Sequence, residues 1–204
     1  EKFDKIKQNT EIPLKYVFYT GDIDSSKRFY ELINNFFQGH SLRFVKGNMD
    51  YILRVNIPIE EVIPLKLMVD ELNSVETKIG ITHGDDIHPR GDKHGLEFLA
   101  KKMDVQILIT GHTHADMCVL SEDRKNLLVN PGSISGAWSF IATGTPSFQT
   151  ISFFKPNNST SNSKIADTKK ILIRVDTHVL MDDSLEIRRS EFFYNQDHTF
   201  EQLR

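Results

Sequence analysis

The sequence predicts an α/β domain of sheet layers covered by helices, and three observations carry that prediction. Strand-like apolar runs recur at short intervals along the 204 residues. Two amphipathic segments of helical period lie among them in the first half. The second half is a succession of strands with turn chemistry between them, as antiparallel sheet requires. The length suffices for one core of ordinary size, so 1–204 is expected to be a single domain.

The elements follow in order. Tyr16-Val17-Phe18-Tyr19 is a strand-like run. Asp24-Ser25-Ser26 offers capping oxygens for a helix whose apolar stripe is Phe29, Leu32, Ile33, Phe36 and Phe37, and Gly39 ends it. Leu42 to Val45 and Lys78 to Ile81 are the next strand-like runs. A second helix opens near Asp92 and buries Leu96, Leu99, Ala100 and Met103. Val105 to Thr110 is an apolar strand. Met117 to Leu120, Asn126 to Asn130, Ser147 to Phe154, Lys170 to Leu180 and Ser184 to Phe193 then read as antiparallel strands. Met181-Asp182-Asp183 is the turn of the last hairpin. The segment 155–168 is rich in Ser, Asn and Lys and nearly devoid of apolar side chains, which predicts a disordered insertion. The polar tail 195–204 is expected to fray.

Composition removes several function classes. The formal charge of −3, with acids and bases interspersed, argues against a nucleic-acid-binding face. The single cysteine, Cys118, excludes an internal disulfide and fits a reducing, cytoplasmic setting. No apolar run is long enough for direct membrane insertion. Val62 to Val69 is broken by Pro64 and Lys66.

Four fragments put ligand-type side chains directly after strand-like runs. They are Thr20-Gly21-Asp22, Gly47-Asn48-Met49-Asp50, Thr82-His83-Gly84-Asp85 and Gly111-His112-Thr113-His114. In α/β sheets ligands gather at the carboxyl ends of strands, where residues distant in sequence converge. Asp22, Asn48, His83 and His112 would suffice for one divalent metal ion. His114 could serve a second, with Asp22 bridging. A carboxylate, a carboxamide and imidazoles suit zinc or manganese better than a thiolate-seeking ion. His40, His88, His94, His178 and His198 lack this context and are assigned no metal.

The order Gly-Asp, Gly-Asn-x-Asp, His-Gly, Gly-His-Thr-His resembles the calcineurin-like metallophosphoesterase superfamily. The match continues through Pro89-x-Gly91-Asp92, Asp104-Val105, Asn130-Pro131-Gly132-Ser133, Gly136-Ala137-Trp138 and Pro146-Ser147-Phe148. That stretch is similar to the compact branch holding the small retromer subunits and small microbial phosphodiesterases. The resemblance covers roughly residues 1–154 and resumes in the last two strands. It implies a two-sheet α/β/β/α sandwich of the metallophosphoesterase type.

Three departures bear on function. The family opens with a buried strand ending in Asp-x-His, whereas Glu1-Lys2-Phe3-Asp4 resembles the helix after that strand. The family's first strand is therefore expected to lie upstream of this sequence, and the natural protein is expected to be longer. Met49 stands where active phosphatases of the family place the histidine that protonates the leaving group, and a thioether gives no proton. Asp22 is retained where the animal retromer subunits resemble this motif with Asn.

The resemblance thus implies a retromer subunit, a metallophosphoesterase-like scaffold in endosome-to-Golgi retrograde protein transport. It would be cytoplasmic and peripheral on endosomal membranes, docked through its metal-pocket rim to a helical-solenoid subunit, with regulators on the opposite side. Ile87, His88, Pro89 and Arg90 follow His83 and are expected at that rim, with Ile87 as apolar anchor. The alternative is a metal-dependent phosphodiesterase. Met49 and the absent Asp-x-His weigh against catalysis; Asp22 and Asn48 weigh for it.

Overall fold

The computed structural model describes residues 14–22, 27–50, 56–69, 73–142, 144–155, 170–182 and 184–203. The expected cap at 24–26 and the expected insertion, except Lys155, lie outside them.

Strand β1 (Tyr16–Tyr19), helix α1 (Lys27–Phe36) and strand β2 (Ser41–Phe44) form a crossover unit. The two strands pair in parallel, Tyr16 opposite Ser41 and Tyr19 opposite Phe44. Among the described residues they make a sheet of their own. Tyr16 and Phe18 pack against the main core. The predicted stripe of α1 is only partly covered. Ile33, Phe36 and Phe37 are half-buried, but Leu32 is exposed, because a sheet of two short strands offers little surface to rest on.

The second sheet has the order β3-β4-β5-β7-β6. Its strands are β3 (Glu60–Met68), β4 (Ser74–Thr82), β5 (Ile107–Ile109), β6 (Asp116–Leu120) and β7 (Leu127–Pro131). β4, β5 and β7 run parallel at the centre; β3 and β6 are antiparallel edges. β3 contains Pro64 and Lys66, the residues that interrupt the apolar run in sequence. At a sheet edge the N–H that proline lacks costs no ladder bond.

The third sheet is antiparallel, ordered β11-β10-β9-β8. It comprises β8 (Ser147–Phe154), β9 (Ile171–Met181), β10 (Ser184–Tyr194) and β11 (Phe200–Gln202). β11 corrects the expectation of a frayed tail. Phe200 is 1% exposed and sits opposite Tyr194, so one aromatic anchor holds an otherwise polar segment.

The inner faces of these two sheets share one core. Ile79, Ile81, Ile107 and Ile109 meet Ile173, Val175, Phe192 and Tyr194. Successive side chains on β5 alternate faces, so Leu108 turns the other way. There it joins Leu128 beneath helix α2 (Lys93–Lys102), which contributes Leu96 and Ala100. Leu99 and Met103 pack at the margin as expected. The result is the α/β sandwich that the sequence pattern implies. No helix among the described residues is long and apolar enough to cross a membrane.

Candidate metal centre

Asp22 follows β1, Asn48 follows β2, His83 follows β4 and His112 follows β5. All four stand past the carboxyl ends of strands that have a parallel partner. Three of the predicted ligands adopt left-handed backbone: Asp22 at φ 55, His112 at 62 and His114 at 61. Such conformations cost energy in non-glycine residues and collect at functional sites. Gly21, at φ 98, lets two loops close together. A Cβ there would lie 2.6 Å from His83 Nδ1 and 2.7 Å from the Cα of Gly47.

Four of the five predicted ligands converge. His83 is 2% exposed. Its Nδ1–H donates to the Thr20 carbonyl at 2.6 Å, which leaves Nε2 as the bare nitrogen of the neutral ring. Around Nε2 lie Asn48 Oδ1 at 3.0 Å, His112 Nδ1 at 3.2 Å and Asp22 Oδ2 at 3.4 Å. His112 Nδ1 is also 3.0 Å from Asn48 Oδ1. These atoms are mostly acceptors facing one another. One shared proton cannot satisfy every contact, and donors of this kind suit a divalent cation, with His83 Nε2 the atom that the other three share.

The electrostatics agree with the geometry. Burial alone would push the Asp22 carboxyl up. The Nε2–H bond that a protonated His83 donates to Asp22, the Met49 N–H and the two imidazoles outweigh it and hold the carboxyl below its ordinary value. Burial disfavours charge on His83, but Asp22 and the Thr20 carbonyl reverse this and raise its pKa. His112 is lowered, by burial first, then by Arg90 and His83.

Asp50 holds the loops in place. It is 2% exposed, and its Oδ2 accepts the N–H of Asp22 at 2.8 Å and that of Gly47 at 2.7 Å. In return Asp22 Oδ1 accepts the Met49 N–H at 2.9 Å. Asp50 thus cross-ties the β1 and β2 loops and leaves Asp22 Oδ2 for the centre. Burial, and after it the Asp50 charge, pushes the Tyr19 phenol up to about 12. Sequence reading quotes Asp50 as part of a motif without assigning it a role. Its position two residues after Asn48 is the signal.

The fifth predicted ligand, His114, stands apart. Its Nδ1–H donates to the Trp138 carbonyl at 3.2 Å, which anchors an aromatic loop beside the centre. Trp138 is 68% exposed, Phe140 90%, and their rings meet edge-to-face at 5.0 Å. Sequence reading uses Trp138 only as a family marker and misses this patch.

The rim loop needs one correction. His88, Pro89 and Arg90 are exposed, and the Arg90 charge reaches His112. Ile87 is not presented as a free anchor. It is half-buried and packs against the cluster under α2. Gly95 opens the space for it, since a Cβ there would lie 2.9 Å from Ile87 Cγ2.

Residues 3–151 match the model of the calcineurin-like phosphoesterase superfamily domain. The chain belongs to this superfamily. As a calcineurin-like phosphoesterase it is 45% identical over 89 residues to a probable metallophosphoesterase of Methanocaldococcus jannaschii, a match over 44% of this chain. The chain covers only 39% of that relative's length. Among solved structures, a single mutant of vacuolar protein sorting 29 from Entamoeba histolytica superposes with a TM-score of 0.69. It is 25% identical, over 94% of this chain and 89% of that one. The wild-type protein of the same organism, complexed with zinc, gives 0.66 at 26% identity, over 94% and 89%. The fold is therefore the metallophosphoesterase fold in its vacuolar protein sorting 29-like form.

Proposed function

We propose that this chain is a retromer-type subunit, a metallophosphoesterase-like scaffold in endosome-to-Golgi retrieval, acting in the cytoplasm at the endosomal surface. In this reading Asp22, Asn48, His83 and His112 hold a divalent ion, zinc or manganese, with His114 beside them. The pocket rim docks onto a helical-solenoid partner, and regulators bind elsewhere. The observation that carries it is the apolar surface around the centre. Met49 is 55% exposed where a hydrolase of the family has an ionisable group, and the Trp138–Phe140 pair stands next to His114. Exposed aromatic side chains of this kind anchor protein interfaces. His88 and Arg90, exposed on the loop after His83 with Pro89 between them, would supply polar groups at the rim, where the Arg90 charge reaches His112. The likeness to vacuolar protein sorting 29 over 94% of the chain supports the assignment.

The test is size exclusion of the protein mixed with the carboxyl-terminal half of the retromer solenoid from the same organism. Co-elution that is lost on Phe140→Asp supports the reading. Separate elution, or a complex indifferent to Phe140→Asp, refutes it.

A second reading, metal-dependent phosphodiesterase, draws on the converging donors. A bound divalent ion would supply a Lewis acid for a phosphoryl oxygen and an acidified water. The Thr20 carbonyl orients His83, Asp50 fixes Asp22 and Asn48 on their loops, and the Arg90 guanidinium stands near enough to attract a phosphate. Met49 offers no proton to a leaving group, a deficit of roughly 10²–10⁴-fold for poor leaving groups. Manganese-supported hydrolysis of a bis-ester that vanishes in His83→Ala would establish this reading.

A further inference from the structure

A second group of metal-binding side chains lies outside the centre described above. His94 and Glu97 are three residues apart on α2 and share a face of the helix. Glu122 reaches them from the turn between β6 and β7. One ring nitrogen and one oxygen from each carboxylate lie within 4.8 Å of one another. We propose that His94, Glu97 and Glu122 form a separate zinc site that ties helix α2 to the β6–β7 turn.

Glu97 separates this group from a chance gathering of surface acids. It is only 7% exposed, in a helix whose other buried residues are Leu96 and Ala100. Its Oε1 accepts the Glu122 N–H at 3.0 Å, so its carboxylate is already turned toward the β6–β7 turn. A carboxylate this buried requires a compensating positive charge. Lys93 provides a loose one, 3.6 Å away with its side chain 44% exposed, and Lys101 adds a weaker pull while paired to Asp123. A cation on the Glu97–Glu122 side meets that need from the turn. The neighbouring acid Asp123 is committed to Lys101 and Ser121, and Glu122 is the acid of this turn that meets His94 and Glu97.

The donor set selects the ion. An imidazole with two carboxylates suits zinc, whereas calcium and magnesium favour all-oxygen shells. Zinc bonds of about 2.0–2.2 Å place neighbouring ligand atoms roughly 3.3 Å apart. His94 and Glu122 are exposed and can close the remaining gap by side-chain rotation, while Glu97 stays fixed. Three protein ligands leave a fourth position for water. The site shares no residue with the Asp22 centre, so the two can be removed independently. An ion bound only by the native arrangement also stabilises the fold in proportion to its concentration.

Zinc titration by calorimetry on the full chain tests this, with His94→Ala, Glu122→Gln, His112→Ala and the His94→Ala/His112→Ala pair. The single replacements at 94 and 122 are at exposed positions, and urea melts in chelator confirm that each variant folds. The expected result is that His112→Ala retains one zinc ion, which the added His94→Ala weakens at least about tenfold, as Glu122→Gln also does. Zinc that persists in the pair, or that binds only at millimolar concentration, overturns the proposal. So does a His112→Ala protein that binds none. Zinc lost with His94→Ala but untouched by His112→Ala would keep this site and overturn the Asp22 centre instead.

Discussion

Asp50→Ala tests whether one buried carboxylate organises the Asp22 centre. In the folded protein its Oδ2 takes two backbone N–H groups, from Asp22 and Gly47. Hydrogen bonds to a charged acceptor contribute about 1.5–3 kcal/mol each, and the desolvation of the carboxylate itself offsets part of that sum. The net loss should be about 2–4 kcal/mol, since alanine leaves both N–H groups in a region water enters poorly. Asp50→Asn keeps an acceptor oxygen and should lose roughly half as much. Urea unfolding in chelator isolates this term from metal binding, and zinc calorimetry then reads the second effect. With the β1 and β2 loops no longer cross-tied, zinc should bind at least about tenfold more weakly. Tyr19 supplies an independent readout. Burial is the larger cause of its pKa of about 12 and the Asp50 charge the smaller, so Asp50→Ala should move the phenol titration down but leave it above 10.0. An Asp50→Ala protein with unchanged zinc affinity and less than about 0.5 kcal/mol of lost stability would refute this account of the loops.

Further predictions concern single positions. Gly21→Ala should cost at least about 2 kcal/mol in urea unfolding, because its φ of 98 is strained for alanine and its Cβ would press on His83 and Gly47. Ile87→Asp should cost about 1–2 kcal/mol, as the side chain packs under α2; a neutral effect would return Ile87 to the surface. His178 has a pKa below the ordinary 6.5, chiefly from burial against Phe148, with Asp176 opposing and Arg189 adding. A depressed histidine pKa contributes stability that is full above the unfolded value and declines as pH falls below it. The stability difference between the protein and His178→Gln should therefore shrink between pH 7.5 and 5.5, as read by urea midpoints, and a constant difference would contradict it.

The sequence makes legible whatever depends on local order. β1 and β8 appear at their observed bounds because each is a dense apolar or alternating run between turn residues. Asp22, Asn48, His83 and His112 are legible because each follows such a run, and parallel pairing carries them to one end. β3 is not, since Pro64 and Lys66 are tolerated only by an edge strand, and edge status depends on the neighbours a strand lacks. The tail strand hides for a similar reason. Its stability rests on Phe200 finding Tyr194, which no local pattern announces. Ile87 turns inward because Gly95, eight residues on, lacks a side chain. The burial of Glu97 beside Glu122 likewise depends on how α2 meets a turn 25 residues away.

The bonds that assemble the Asp22 centre span long stretches of chain. Thr20 and His83 are 63 residues apart, Asn48 and His112 are 64, and Asp22 and Asp50 are 28. Contacts of such separation form late on a folding pathway, because the entropy of closing large loops must be met before they yield anything. The imidazoles are therefore expected to meet only once the central sheet exists, which would make a metal ion a latecomer and not a seed of the fold. A chelator present during refolding should then leave the rate of chain collapse unaltered and act on the finished protein by speeding its unfolding.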